Sequence, residues 1–273
     1  MLTQTRVTSS DGISLAVYES GTDTGPVVVA VHGYPDNHSV WDGLAGALGD
    51  TCRVITYDVR GAGASDVPAS QAGYRVALLI DDLAAVLDAV APDAQVHLIA
   101  HDWGSMQSWV ALGDPRLRGR VATFTSISGP SLQHARVWLR GITRNPGPRL
   151  RQLAHSYYTL LFQLPRLPEL AVRRGVVDRA VGTRCRDDEL NGINLYRANM
   201  LTGLHRTVPP RIDIPVQVLA PEHDPFVTTE LATEGPAPFV ADLRTRVIAG
   251  GHWVVRNSPE VIAGYVRDFI GAR

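Results

Sequence analysis

The sequence predicts an α/β fold in which helices cover both faces of a mostly parallel sheet. Short runs rich in β-branched residues alternate with amphipathic helical stretches along most of the 273 residues. Four runs are predicted to be buried strands, namely Val27–Val31, Val54–Tyr57, Gln95–Ala100 and Val121–Ile127. Between the second and third runs, apolar residues recur at helical spacing from Leu79 to Val90. Because parallel neighbours need a helical crossover, this alternation indicates a mostly parallel sheet.

Four further runs bring the predicted sheet to eight strands. Two lie near the N-terminus, around Arg6 and over Ile13–Glu19, and the turn signal Asp11-Gly12 joins them. The last two, Ile214–Ala220 and Thr245–Ala249, are followed by a predicted final helix over Pro259–Ile270. The alternation is therefore present in both the first and last parts of the chain.

The middle of the chain breaks this pattern. After Ser128-Gly129-Pro130 the sequence is predicted to be helical to about residue 208, with loops rich in proline and arginine. Strand character returns only after Pro209-Pro210. We therefore predict a core over residues 1–130 and 211–273, with a helical cap over 131–210 inserted after strand 6.

Composition and cysteine content bound the class of protein. Apolar residues make up 45% of the chain and the net charge is −1, which is typical of a globular protein. Cys52 and Cys185 are isolated, so free thiols in a reducing compartment are expected. There is no apolar run of the ~20 residues that span a bilayer, and the first residues do not match a signal peptide. We expect a cytoplasmic protein with no integral membrane segment.

Charge is nevertheless unevenly distributed. Residues 131–210 hold 13 arginines against 5 acidic residues, a net charge of +8, which leaves −9 for the rest. This cap surface is either a solvated basic face or a surface that attracts an anionic substrate or an acidic partner. Few aromatic residues lie among these arginines, and there is no nucleic-acid motif, so no nucleic-acid partner is expected.

The run Ala100-His101-Asp102-Trp103-Gly104 carries the chemistry. It follows a predicted strand and precedes a predicted helix, Ser105–Leu112, with small residues two positions either side of Asp102. Such residues leave room for a nucleophile held at a strained backbone angle. An aspartate there attacks alkyl carbon and forms an ester, whereas the serine of an esterase attacks acyl carbon. The bland alternative is that Asp102 only caps the following helix.

A base and its orienting acid follow in the order expected for such a nucleophile. His252 lies in a glycine-rich turn after the last predicted strand, and Asp224 follows the strand that ends near Ala220. Glu222 is the rival acid, but Asp224 is preferred because it lies in the tighter turn with Pro225.

Backbone amides are also predicted to stabilise the oxyanion that forms on the ester. Trp103 follows the nucleophile and supplies one amide, and Tyr34 in His32-Gly33-Tyr34-Pro35 supplies the second. The Tyr34-Pro35 bond is a candidate cis peptide.

These motifs together resemble the epoxide hydrolase group of the α/β-hydrolase family, and in particular actinobacterial, mycobacterial-type domains. The resemblance covers nearly the whole chain and rests on five motifs: HGYP (32–35), GAGAS (61–65), HDWG (101–104), HDPF (223–226) and GGHW (250–253). It implies two cap tyrosines that hydrogen-bond the epoxide oxygen, matched here by Tyr158 and Tyr196. Tyr157 is an adjacent competitor.

The resemblance implies a complete reaction. The two tyrosines protonate the leaving oxygen while Asp102 opens the ring, and His252, held by Asp224, then activates water to release a vicinal diol. It implies a small lipophilic epoxide as substrate, with neither metal nor organic cofactor. A homodimer is compatible with the sequence, which leaves the oligomeric state open. Apolar cap residues are predicted either to line the pocket or to form the core of the cap, namely Leu153, Leu160, Leu161, Phe162 and Leu164.

Two other functions stay open. A haloalkane dehalogenase would use the same aspartate, but that group usually has asparagine where Tyr34 stands and lacks the cap tyrosines. A non-catalytic binding protein with this fold would be expected to have lost a member of the triad, and none is lost from this sequence.

Overall fold

The computed structural model describes residues 3–176, 185–201 and 208–271. Its strands form one eight-stranded sheet in the order β1-β2-β4-β3-β5-β6-β7-β8. The strands are β1 (Thr3–Thr8), β2 (Ser14–Gly21), β3 (Val27–Val31), β4 (Arg53–Tyr57), β5 (Val96–His101), β6 (Val121–Ile127), β7 (Val216–Pro221) and β8 (Leu243–Ile248). β2 is antiparallel to both β1 and β4, and every other pairing is parallel.

Helices connect the strands on both sides. The described α-helices are α1 (Asp42–Leu48), α2 (Val76–Val90), α3 (Trp103–Ala111), α4 (Leu132–Leu139), α5 (Pro146–His155), α6 (Tyr157–Leu161), α7 (Leu167–Arg173), α8 (Arg186–Asn199), α9 (Thr229–Glu234), α10 (Val254–Asn257) and α11 (Pro259–Gly271). Helices α4 to α8 all lie between β6 and β7 in the sequence. The division into core and cap at residues 131 and 210 stays a prediction.

The alternation of side chains along the strands divides the core between the two faces of the sheet. In β3, Val29 and Val31 belong to one buried cluster and Val28 and Ala30 to the other. The first cluster also holds the apolar side of α2, while the second holds that of α1 and α11. The predicted α/β architecture, a mostly parallel sheet with helices on both faces, is therefore confirmed.

Element boundaries differ from the sequence predictions by a few residues. β3 and β6 begin and end where they were predicted, whereas α2 begins at Val76, three residues before the predicted start. The amide of Val76 donates a 2.9 Å hydrogen bond to Oδ1 of Asn199, a residue of α8. The first turn of α2 is thus completed by a side chain far along the chain, which local periodicity does not reveal.

Helix α8 fastens the segment between β6 and β7 to the core. Nδ2 of Asn199 donates to the Tyr74 carbonyl at 2.9 Å, which complements the bond to Val76. Asp188 accepts hydrogen bonds of 2.8 Å from the Asn37 side chain and the Gly63 amide. These contacts hold α8 over the loops that follow β3 and β4.

None of the helices in the described ranges is both long and apolar enough to cross a bilayer.

Candidate active site

Asp102 lies between β5 and α3 with φ 51° and ψ −125°, a conformation that non-glycine residues rarely adopt. The surrounding backbone holds it there, because its amide donates to the Ile127 carbonyl at 3.1 Å and its carbonyl accepts from the Met106 amide at 2.9 Å. A Cβ on Gly104 would collide with the backbone of β3. The predicted need for a small residue two positions after Asp102 is therefore explained, because only glycine lets this turn approach the neighbouring strand.

The Asp102 carboxylate does not cap α3. It forms no side-chain cap hydrogen bond, and its Oδ1 accepts instead from the Tyr34 amide at 2.7 Å, with the Trp103 amide also hydrogen-bonded to the carboxylate. Oδ2 lies 3.6 Å from Nε2 of His252. Burial raises the pKa of Asp102 to about 6, even though His252 and the two amides favour its charged form.

His252 and Asp224 form a buried pair beside this carboxylate. Nδ1 of His252 lies 2.9 Å from Oδ2 of Asp224, whose Oδ1 accepts from the amides of Phe226 and Val227 at 2.8 and 3.1 Å. The rival acid Glu222 lies instead on an exposed turn, where its carboxylate is 3.4 Å from His223. The structure thus brings Asp224, and not Glu222, to the histidine.

The pair has pKa values shifted in opposite directions. Burial opposes charge on both groups, but the attraction between them outweighs it. The pKa of Asp224 is consequently below its ordinary value, and the Phe226 amide contributes to this. The pKa of His252 is above its ordinary value, chiefly because of the Asp224 carboxylate. Asp224 therefore stays ionised and fixes Nδ1 as a donor, which leaves Nε2 to exchange protons on the side of Asp102.

The two cap tyrosines suggested by the resemblance converge on the same place. Tyr158 is the second residue of α6, and Tyr196 lies in α8. Their ring centroids are 5.8 Å apart, and their side chains are hydrogen-bonded. Burial and the Asp102 charge raise the pKa of both phenols. Both therefore remain protonated donors at neutral pH. The competitor Tyr157 is 64% exposed.

A cavity of about 170 Å³ joins these groups. Its lining comprises Tyr34, Pro35, Asp102, Tyr157, Tyr158, Phe162, Val176, Tyr196, Phe226, His252 and Trp253. The lining is mainly aromatic, as suits a lipophilic ligand. The sequence suggested five apolar residues as pocket lining. Phe162 does line the cavity, whereas the other four do not, namely Leu153, Leu160, Leu161 and Leu164. Those leucines neither line the cavity nor form a cap core, since their side chains are exposed.

Several supporting residues had no predicted role in catalysis. The ring of His101 is buried, its Nε2 lies 2.9 Å from the His252 carbonyl, and burial lowers its pKa to about 3. It is therefore neutral and orients the His252 backbone. Asp36 accepts from the Trp253 indole at 2.7 Å and from Arg256 at 2.6 Å. This fixes Trp253 against the His252 ring, at 4.9 Å between centroids. The sequence feature that could have identified Asp36 as a supporting residue is its position directly after the HGYP motif.

Comparison with known proteins identifies the family of this chain. A family model described as the alpha/beta hydrolase fold matches residues 26–258. Human epoxide hydrolase 4 is 31% identical over 95% of this chain and 76% of its own length. The chain belongs to the α/β-hydrolase family, and within it to the epoxide hydrolase group. In this α/β hydrolase the Tyr34-Pro35 bond is cis, as the sequence predicted.

Other relatives of this α/β hydrolase are similar over the same range. The probable oxidoreductase EphD of Mycobacterium tuberculosis is 35% identical over 96% of this chain, which spans about half (48%) of that relative's length. An epoxide hydrolase of Bacillus megaterium has a TM-score of 0.81 at 19% identity, and the alignment covers 98% of this chain and 100% of that one. A metagenomic epoxide hydrolase from hot environments also has a TM-score of 0.81, at 24% identity over 100% of both chains. Both structures share the fold.

Within the residues that the structure describes, there is no group of three or more His, Cys, Asp or Glu side chains able to hold a metal ion. Cys52 is buried and Cys185 exposed, and both are free thiols.

Proposed function

We propose that this protein hydrolyses a lipophilic epoxide to a vicinal diol through a covalent ester on Asp102. The observation that carries the proposal is that the two oxygens of the Asp102 carboxylate have different neighbours. Oδ1 accepts from the Tyr34 amide, and the Trp103 amide also hydrogen-bonds the carboxylate, whereas Oδ2 faces His252 and a cavity that both cap tyrosines also line. The relatives named epoxide hydrolase support the same assignment.

Ring opening uses Asp102 and the tyrosines. Oδ2 attacks one epoxide carbon, the carbon–oxygen bond breaks, and the departing oxygen takes a proton from the Tyr158 or Tyr196 hydroxyl. Because burial and the Asp102 charge raise the pKa of both phenols, each holds its proton until an alkoxide develops. Solvent water then restores the tyrosine proton.

Ester hydrolysis uses the amides and the histidine. His252 takes a proton from water, which attacks Cγ of Asp102, and the resulting oxyanion stays hydrogen-bonded to the Tyr34 and Trp103 amides. Collapse of this intermediate breaks the ester bond and releases the diol, whose oxygen takes the proton from His252. The Asp102 carboxylic acid left behind loses its proton to solvent, which balances the proton that solvent gave to the tyrosine. One water molecule is consumed and none of the protein's groups is changed.

Alkylation itself prepares His252 for the second step. The negative charge of Asp102 is among the causes that raise the histidine pKa in the free protein. The ester removes that charge, so the pKa of His252 falls in the intermediate. Burial then favours the neutral imidazole, which is the form that can act as a base.

Dehalogenation is the weaker alternative. A halide leaving group needs hydrogen-bond donors but no proton, whereas the cavity presents two phenolic proton donors. Trp103, whose indole is the donor that would bind a halide, is not among the residues that line the Asp102 cavity, and its ring packs edge-on against Tyr196 with 5.1 Å between ring centroids.

Trapping the covalent ester tests the proposal. The protein in excess over styrene oxide is quenched in acid within one turnover, digested and examined by mass spectrometry. The peptide that contains Asp102 should gain the mass of the epoxide, and His252→Gln should accumulate this adduct. Asp224→Asn should slow ester hydrolysis, while the matched variant Glu222→Gln should leave turnover unchanged. Adduct on another residue, or full turnover by Asp102→Asn, would contradict the mechanism.

The same variants separate the alternatives. Chloride or bromide release from a haloalkane, without diol formation from epoxides, would indicate a dehalogenase. Equal ligand binding by the wild-type protein and Asp102→Asn, with no turnover by either, would indicate a binding protein.

A further inference from the structure

Residues 150–176 carry most of the exposed large apolar side chains in the described part of the chain. Fourteen large apolar residues are exposed in the described part of the chain, and nine of them lie between residues 150 and 176. We call these nine the leucine face: Leu150, Leu153, Tyr157, Leu160, Leu161, Leu164, Leu167, Leu170 and Val176. Apolar surface concentrated in this way marks an interaction site more often than scattered exposed residues do.

The leucine face is additional to the packing of the cap. In α7, Pro168 and Val172 are buried, whereas Leu167 and Leu170 are 50% and 42% exposed. The helix therefore has one apolar side turned towards the protein and a second turned towards solvent. A surface helix normally places polar residues on its second side, so apolar residues there indicate a partner.

The segment that carries these apolar residues is also positively charged. Residues 131–176 contain eight arginines and one acidic residue. Arg140, Arg144, Arg166 and Arg174 are exposed, and none forms an ion pair with another residue that the structure describes. Arg166 and Arg174 immediately flank α7. Apolar side chains beside unpaired arginines are the combination that binds the interface of an anionic bilayer.

The entrance to the catalytic cavity lies at this face. Tyr157 and Val176 belong to the leucine face and also line the cavity, and they are 64% and 48% exposed. A molecule dissolved in a bilayer beneath the leucine face would meet the cavity without crossing water. This consequence, unlike the docking itself, rests on the proposed function.

We propose that the leucine face docks this protein on the surface of an anionic lipid bilayer, with the entrance of the cavity turned towards the lipid. The arginines argue against a second copy of the chain as the occupant, because two such faces would bring like charges together. The docking is peripheral, since no helix in the described ranges could cross a bilayer.

Vesicle sedimentation tests the docking without any assumption about catalysis. The protein should sediment with vesicles of equal parts phosphatidylglycerol and phosphatidylcholine, should not sediment with phosphatidylcholine alone, and should be released by high salt. Arg166→Gln with Arg174→Gln should weaken partitioning about thirtyfold, at roughly a factor of five per arginine. Leu160→Ser with Leu167→Ser should weaken it about tenfold or more.

Matched variants elsewhere on the protein provide the controls. Val247→Ser with Val261→Ser removes two exposed apolar side chains from β8 and α11, at 59% and 52% exposure. Arg75→Gln with Arg118→Gln removes two exposed arginines that lie outside residues 131–210. Both controls should sediment like the wild type. The leucine variant should also keep its turnover of a water-soluble epoxide, because neither leucine lines the cavity.

Three results would overturn the proposal. Equal sedimentation with neutral and anionic vesicles would exclude the anionic surface. Failure to sediment, together with a dimer in light scattering that Leu160→Ser with Leu167→Ser dissociates, would identify the leucine face as an interface between copies. Failure to sediment by a monomer would exclude docking altogether. If docking is observed but no epoxide is turned over, the proposed function fails and the docking stands.

Discussion

Gly33→Ala provides a sharp test of the amide contacts at Asp102. Gly33 follows β3, and a Cβ built on it would lie 2.6 Å from the Trp103 amide nitrogen and 2.7 Å from Cβ of Asp102. Non-bonded carbon atoms settle at about 3.5–4.0 Å, so Asp102 must retreat by roughly 1 Å. The 2.7 Å hydrogen bond from the Tyr34 amide would then exceed hydrogen-bonding distance.

The expected loss follows from that displacement. A misplacement of about 1 Å at a reacting group costs on the order of 100-fold in rate. Loss of one oxyanion donor costs about 100-fold to 1000-fold. We therefore expect kcat/KM for an epoxide to fall at least about 100-fold, with ester formation and ester hydrolysis both slowed, because the same amides serve both steps.

Stopped-flow tryptophan fluorescence can resolve the two steps, since Trp253 lines the cavity and Trp103 adjoins the nucleophile. Gly264→Ala is the matched control, because a Cβ there meets nothing within 4 Å. It should retain full activity, and thermal unfolding of both variants checks that they are folded. A folded Gly33→Ala protein with nearly wild-type kcat/KM would refute the assignment of these amides.

Three further outcomes are expected. Phe in place of both Tyr158 and Tyr196 should abolish ring opening, and each single change should cost about 100-fold or more in the rate of ester formation. The pH profile of kcat/KM should fall below about pH 6, where burial puts the pKa of Asp102, because the protonated acid is not a nucleophile. The profile should show no alkaline limb near neutrality, since the phenol pKa values are raised. Asp82→Ala should lower the free energy of unfolding by about 2 kcal/mol, measured by urea denaturation, because it removes one of the two carboxylates that pair with the buried Arg60, the other being Asp11.

Each of these has a clear contrary result. Undiminished ester formation by the double phenylalanine variant would mean that another acid protonates the leaving oxygen. If kcat/KM were controlled only by a group that titrates at alkaline pH, the raised pKa of Asp102 would not control the reaction. Asp88→Ala, which breaks only a surface pair, should cost about 0–1 kcal/mol, and equal losses for both aspartates would contradict the buried-pair argument.

The alternating pattern of the core was readable from sequence because burial is local and periodic. Val27–Val31 places successive valines on opposite faces, and both faces are covered by helices. The start of α2 was missed because its cap comes from Asn199, which is distant in sequence. Periodicity in a short window contains no information about such partners.

The chemical types at the site were also readable from sequence, whereas their contacts were not. A sequence could nominate both Glu222 and Asp224, and the fold brings only Asp224 to 2.9 Å from His252. The cap leucines show the opposite limit. Their spacing indicated apolar faces but not the direction in which those faces point, and both sequence-based interpretations turned them inwards.

The sequence by itself determined the α/β fold and the presence of an aspartate at a sharp strand–helix turn, because hydrophobic period and glycine placement are properties of short segments. Only the tertiary structure decided which oxygen of Asp102 the Tyr34 amide contacts and that the leucines are exposed. Those facts depend on distances between residues far apart in the chain, and such distances exist only after the sheet and the cap have packed.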